Sequence, residues 1–115
     1  MRINIKPISA NEMWQGKKFK SPKYKAWREE FGYELLRTMD KHHRKEFDCK
    51  VAINLRIFCK NADRSDIDNF IKPILDALVE NKILKDDRLV NELEVTKHKS
   101  EEEYIFLNIK KYSIV

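Results

Sequence analysis

The chain has 115 residues, 42% apolar and 37% charged, which suits one domain with a real core under a heavily solvated surface and excludes a disordered chain. No apolar run approaches the roughly 20 residues of a membrane span and the start lacks a signal-peptide core, so the expected compartment is the cytoplasm. The net charge of +5 is uneven: residues 1–50 hold 13 Lys/Arg against 7 Asp/Glu, and residues 51–115 hold 11 against 12.

A basic half joined to a half with acid clusters suits a polyanion held by one part and attacked by the other. A lysine-rich surface that only keeps the protein soluble gives the same charge balance. Residues 2–6 alternate, Ile3 and Ile5 on one side, and Pro7 ends a short strand. Residues 8–21 read as a long loop, a length often functional in a small domain. From Met13 to Arg28 there is no acid, and Lys17, Lys18, Lys20, Lys23 and Lys25 alternate with Trp14, Phe19, Tyr24 and Trp27. Cations beside aromatic faces make a candidate nucleic-acid surface.

Ser21 as N-cap and Pro22 at the first helical position start a helix. Tyr24, Trp27, Phe31, Leu35 and Met39 form its apolar stripe, which places Tyr24 and Trp27 in the core rather than on nucleic acid. Gly32 weakens this helix and points to close packing. Residues 40–45 read as a solvated loop. Residues 49–60 form the clearest strand, with Val51, Ile53, Leu55 and Ile57 facing the core. Cys49 and Cys59, at its two ends, lie too far apart along an extended strand to bridge and are expected to be reduced.

After a turn at residues 61–65, Phe70, Ile71, Ile74, Leu75, Leu78 and Val79 mark a second helix. Asp68 is its expected N-cap, and Pro73 predicts an irregular first turn. Residues 90–99 and 103–112 alternate as two strands, with a hairpin turn expected at Ser100-Glu101-Glu102. The order β-α-β-α-β-β gives a single α+β (mixed α/β) domain over residues 1–115.

Asp66 and Asp68 lie two apart where strand passes to helix; Lys72 follows Asp68 by one helical turn and Asp76 by two; Asp86-Asp87 comes after the helix. Brought together, such groups would suit Mg²⁺, which takes oxygen ligands and keeps several waters, and a phosphodiester reaction. The bland alternative stays open, because DxD at a helix start is mostly capping and DD after a helix is mostly a turn.

In order and spacing, Asp66-Ile67-Asp68-Asn69-Phe70-Ile71-Lys72, Leu75-Asp76-Ala77-Leu78 and Asp86-Asp87-Arg88-Leu89-Val90 resemble the blocks of the RusA family of crossover junction endodeoxyribonucleases. Ser9-Ala10-Asn11 with Trp14 is similar to the family's opening block. The resemblance implies a homodimeric, Mg²⁺-dependent nuclease, with Mn²⁺ as a substitute, that nicks two strands of a four-way DNA junction symmetrically to leave ligatable ends. It implies Asp66, Asp68 and Asp87 as metal-binding catalytic acids and Lys72 as the catalytic lysine. Asp76, Asp86 and Asn69 are then supporting residues. DNA contacts are expected from Lys17, Lys18, Lys20, Lys23, Lys25 and Arg64.

The chain departs from the family pattern at Ser65, which stands where a proline commonly precedes the first aspartate. The nearly neutral Asn61-Ala62-Asp63-Arg64 shifts the expected DNA binding towards the basic loop. A nuclease for other branched DNA, or a DNA-binding protein of this fold without the chemistry, are the alternatives.

Overall fold

The computed structural model describes residues 1–16, 19–39 and 45–114. Strand β4 (Val51–Cys59) is the axis of the molecule. Its β-branched and aliphatic residues alternate, so Val51, Ile53, Leu55 and Ile57 are all buried on one face. It lies inside a four-stranded sheet ordered β1-β6-β4-β5, where β1 is Arg2–Ile3, β5 is Val90–Lys99 and β6 is Tyr104–Lys111. Helices α1 (Pro22–Thr38) and α2 (Asp68–Glu80) contribute Tyr24, Trp27, Phe31, Leu35, Phe70, Ile74 and Leu78 to the same core. The α+β reading holds.

Three elements differ from the sequence reading. The first strand, read over residues 2–6, covers only Arg2–Ile3. The segment read as a loop at residues 8–21 contains a 3-10 turn at Ala10–Glu12 and a small hairpin, β2 (Trp14–Gln15) against β3 (Phe19–Lys20). Gly16, at φ +71°, takes the left-handed conformation that lets the chain reverse there. Strands of two residues are too short to show an alternation, which is why the pattern was invisible.

The tail is also not a hairpin. β5 runs parallel to β4, β6 runs antiparallel to β4, and β4 lies between them. The chain after β5 therefore hops across the end of β4, where Ser100 N–H donates to Cys59 O at 3.1 Å and Lys60 N–H to Glu103 Oε2 at 3.3 Å. A short connection between two strands cannot tell from its own residues whether a third strand sits between them. Parallel β4 and β5 need a crossover, and α2 supplies it.

The α1 start is as expected: Ser21 Oγ accepts from Tyr24 N–H at 3.0 Å and also donates to Glu12 O, fastening the helix to the 3-10 turn before it. Residues 40–44, expected as a solvated loop, lie outside the described residues. Cys59 is buried and Cys49 partly so, and both are free thiols.

Gly32 faces α2. A Cβ there would collide with the Asn81 side chain, whose Nδ2 is already held by Ala77 O at 2.9 Å and Arg28 O at 3.3 Å. Gly32→Ala should therefore destabilise the fold: overpacking costs about 1–3 kcal/mol, against up to about 1 kcal/mol gained in helix propensity. A thermal melt should show a lower Tm, by roughly 4 °C for each net kcal/mol lost; an unchanged or raised Tm would mean that the two helices are not in close register here.

Candidate active site

The start of α2 decides how the paired aspartates are used. The chain leaves β4 through a 3-10 turn at Ala62–Arg64. Lys97 of β5 donates to Ala62 O and Ser65 O, each at 2.7 Å, and ties the residues just before Asp66 to the sheet. Ile67 is already helical in conformation, and the first turn is closed by i→i+3 bonds, Asn69 N–H to Asp66 O at 3.1 Å and Phe70 N–H to Ile67 O at 3.2 Å. Such bonds are common at a helix start, and α2 continues unbroken through Pro73, so the irregularity expected from that proline does not interrupt the helix.

Asp68 is not the N-cap. Ile67 holds that position with no side-chain cap, and Asp68 is the first helical residue. As the first helical residue, Asp68 does not make the N-cap bond to the N–H groups two and three residues on, and no side chain caps this end. Asp66 and Asp68 are both exposed, and neither carboxylate pairs with a described residue. The capping explanation of the DxD pair therefore fails, while the positive end of α2 still favours the charge of Asp68.

Asp86 and Asp87 divide differently. Asp86 caps the 3-10 turn at Asp87–Leu89, accepting from Arg88 N–H at 2.8 Å, and its carboxylate also takes the Arg88 guanidinium at 2.8 Å. The Arg88 side chain first, and its backbone N–H next, hold the Asp86 carboxyl down to about 2. Asp87 instead faces α2, where Lys72 Nζ lies 3.4 Å from its Oδ2.

Lys72 is held from the other side by Asp76 Oδ1 at 2.9 Å, one helical turn along. The hydrogen bond to Asp76, reinforced by the charges of Asp76 and Asp87, raises the Lys72 pKa above its usual value, so it remains an ammonium. The second oxygen of Asp76 is taken by Lys20 Nζ of β3 at 2.7 Å. Asp76, Val79, Glu80, Lys85, Asp86 and Asp87 line an open hollow of about 280 Å³. Among the described residues no three His, Cys, Asp or Glu side chains gather into a group able to hold a metal. Asp66, Asp68 and Asp87 are thus not gathered into one such group.

Lys20 does not fit its expected role as a DNA contact, because its ammonium points into this site and its side chain is only 21% exposed. Lys17 and Lys18 lie outside the described residues. Lys23, Lys25 and Arg64 are exposed; Lys23 pairs with Glu12 at 2.9 Å, and Lys25 and Arg64 pair with no described side chain. Trp14 and Phe19 stand exposed on the β2–β3 hairpin, whereas Tyr24 and Trp27 are buried as the helical stripe predicts. Asn69 is half-buried in the first turn of α2.

Two residues of this region were missed. The inward reach of Lys20 had no local signal, since Asp76 is 56 residues away. Lys97 had one: it continues the alternation of Leu93 and Val95, which places a lysine on the core side of its strand.

No helix among the described residues is long and apolar enough to cross a membrane. No curated protein matches the sequence. The family described as endodeoxyribonuclease RusA matches residues 4–110, nearly the whole chain. The chain therefore belongs to the RusA family of endodeoxyribonucleases.

Proposed function

We propose that this protein is a divalent-metal-dependent, structure-selective endonuclease that resolves four-way DNA junctions by paired symmetric nicks. It acts as a homodimer in the cytoplasm, in DNA recombination and repair. The observation that carries the reading is that the exposed Asp66 and Asp68 carboxylates pair with no described residue, while Lys72, one turn on from Asp68, contacts Asp87.

The donor set suits Mg²⁺, or Mn²⁺ in its place: Asp66, Asp68 and Asp87 offer hard carboxylate oxygens, and an ion that keeps most of its waters needs only one or two of them directly. When bound, the cation would polarise the scissile phosphate and lower the pKa of the attacking water. Asp66, Asp68 and Asp87 supply the negative charge that recruits it. Lys72, kept charged, stabilises the negative charge that builds on the phosphate. Asp76 holds Lys72 in place, and Asp86 fixes the turn that presents Asp87. Lys23, Lys25 and Arg64 offer cations to the DNA backbone, and Trp14 and Phe19 offer exposed rings to bases or sugars. One site per protomer in a two-fold dimer matches the symmetry of the junction.

The test is cleavage of a synthetic four-way junction in Mg²⁺, mapped to the nucleotide, beside flap and duplex substrates of the same sequence. Symmetric nicks in two strands of the junction, with little cutting of the duplex, are expected. Faster cutting of the flap would move the assignment to another branched substrate. Binding without cutting in either Mg²⁺ or Mn²⁺ would leave a DNA-binding protein of this fold. Sedimentation of the free protein should give the mass of a dimer.

A further inference from the structure

Asp76 is shared. Its side chain is only 15% exposed, and each of its oxygens takes a different ammonium: Oδ2 takes Lys20 at 2.7 Å and Oδ1 takes Lys72 at 2.9 Å. Lys20 is itself enclosed. Its Nζ lies 4.4 Å from the centre of the Trp14 ring and 4.8 Å from that of Tyr24, so one carboxylate and two ring faces flank a partly buried cation. A lysine that binds phosphate needs its ammonium in the open; this one does not have it there.

The geometry points to Lys20 as a positioning residue of the active site, acting through Asp76 on Lys72, with the β2–β3 hairpin setting where the Lys72 ammonium stands. This rests on reading the site as a nuclease centre. With Lys20 in place, Asp76 has one oxygen left for Lys72, and Lys72 keeps its second contact with Asp87 at 3.4 Å. Without Lys20, both oxygens of a largely buried carboxylate turn to the one remaining cation. Lys72 is then drawn towards Asp76 and away from Asp87 and the phosphate. Substrate affinity does not pass through this chain of contacts, and the chemical step does.

The experiment compares wild type, Lys20→Met and Lys20→Arg in single-turnover cleavage of a four-way junction at saturating enzyme in Mg²⁺. Junction binding is measured alongside across a range of salt. Lys20→Met should cleave about tenfold more slowly, the loss typical of removing a group that orients a catalytic ligand. Its affinity and the slope of log K against log salt should match wild type, and Lys20→Arg should recover part of the rate because it keeps a cation on Asp76.

A salt slope shallower by about one, with weaker binding and an unchanged cleavage rate, would make Lys20 a phosphate contact and overturn the inference. Wild-type behaviour in both assays would overturn it as well. If Lys20→Met does not fold, Lys20→Gln removes the charge while keeping a polar side chain; it should slow cleavage about tenfold with affinity and salt slope unchanged. Cleavage by Lys20→Gln at the wild-type rate, or slowed only through weaker binding, counts against the inference. Asp87→Asn serves as the control: if it still cleaves, the nuclease reading of the site fails, whereas an inactive Asp87→Asn beside a fully active Lys20→Met sinks the Lys20 inference alone.

Discussion

Single replacement of Asp66, Asp68 or Asp87 by Asn is expected to remove junction nicking in Mg²⁺, a loss of about 10³-fold, the upper range for deleting one preorganised electrostatic group. Junction binding should stay measurable. Asn keeps the size and one carbonyl oxygen of Asp, so the change isolates the charge. The exposed carboxylates of Asp66 and Asp68 pair with no described residue, and only the positive end of α2 favours the charge of Asp68. Their variants should melt within about 1 kcal/mol of wild type. Asp87→Asn gives up only a partly exposed contact with Lys72, worth about 1 kcal/mol at most. A large loss of rate with an unchanged melt therefore separates a chemical role from a structural one. Mg²⁺ or Mn²⁺ titrated into the protein without DNA adds a second readout: each variant should bind the ion more weakly. Full cleavage by all three variants would end the assignment.

Local chemistry made some of this visible in advance, and long-range pairing hid the rest. Ser21 and Pro22 announce α1 because a cap and a fixed φ act within a few residues. The alternation of Val51, Ile53, Leu55 and Ile57 announces β4 because burial repeats every second residue. The order of the strands in the sheet did not show, since nothing in Ser100-Glu101-Glu102 records that β4 lies between β5 and β6. At the site, spacing alone left the aspartates open to a capping or turn role, and it was the resemblance of whole blocks that marked Asp66, Asp68, Lys72 and Asp87. The use made of each did not show. Asp68 fell one position inside the helix rather than at its cap, and no side chain caps the start of α2. Lys20 looked like its neighbours in a basic stretch and was distinguished only when the hairpin folded it onto Asp76.

Lys72→Ala should slow cleavage by about 10²- to 10³-fold while leaving junction affinity nearly intact. The lysine is held at two points, Asp76 at 2.9 Å and Asp87 at 3.4 Å, so its ammonium is fixed before substrate arrives and need not be ordered during the reaction. The hydrogen bond to Asp76 raises its pKa, which rules out work as a proton acceptor near neutrality and leaves a fixed positive charge as its contribution. Because the raised pKa keeps that charge around neutral pH, the wild-type rate should show no fall from Lys72 deprotonation there. Lys72→Arg keeps the charge but brings a planar fork in place of a compact ammonium, and should recover only part of the rate. The structural alternative predicts another pattern. A lysine that merely braces α2 against the turn at Asp87 would, when removed, loosen both acids and lower binding and cleavage together, and Lys72→Met would then lower Tm as much as rate. Loss of cleavage alone, with the melt and the salt slope unchanged, assigns the ammonium to the reacting phosphate.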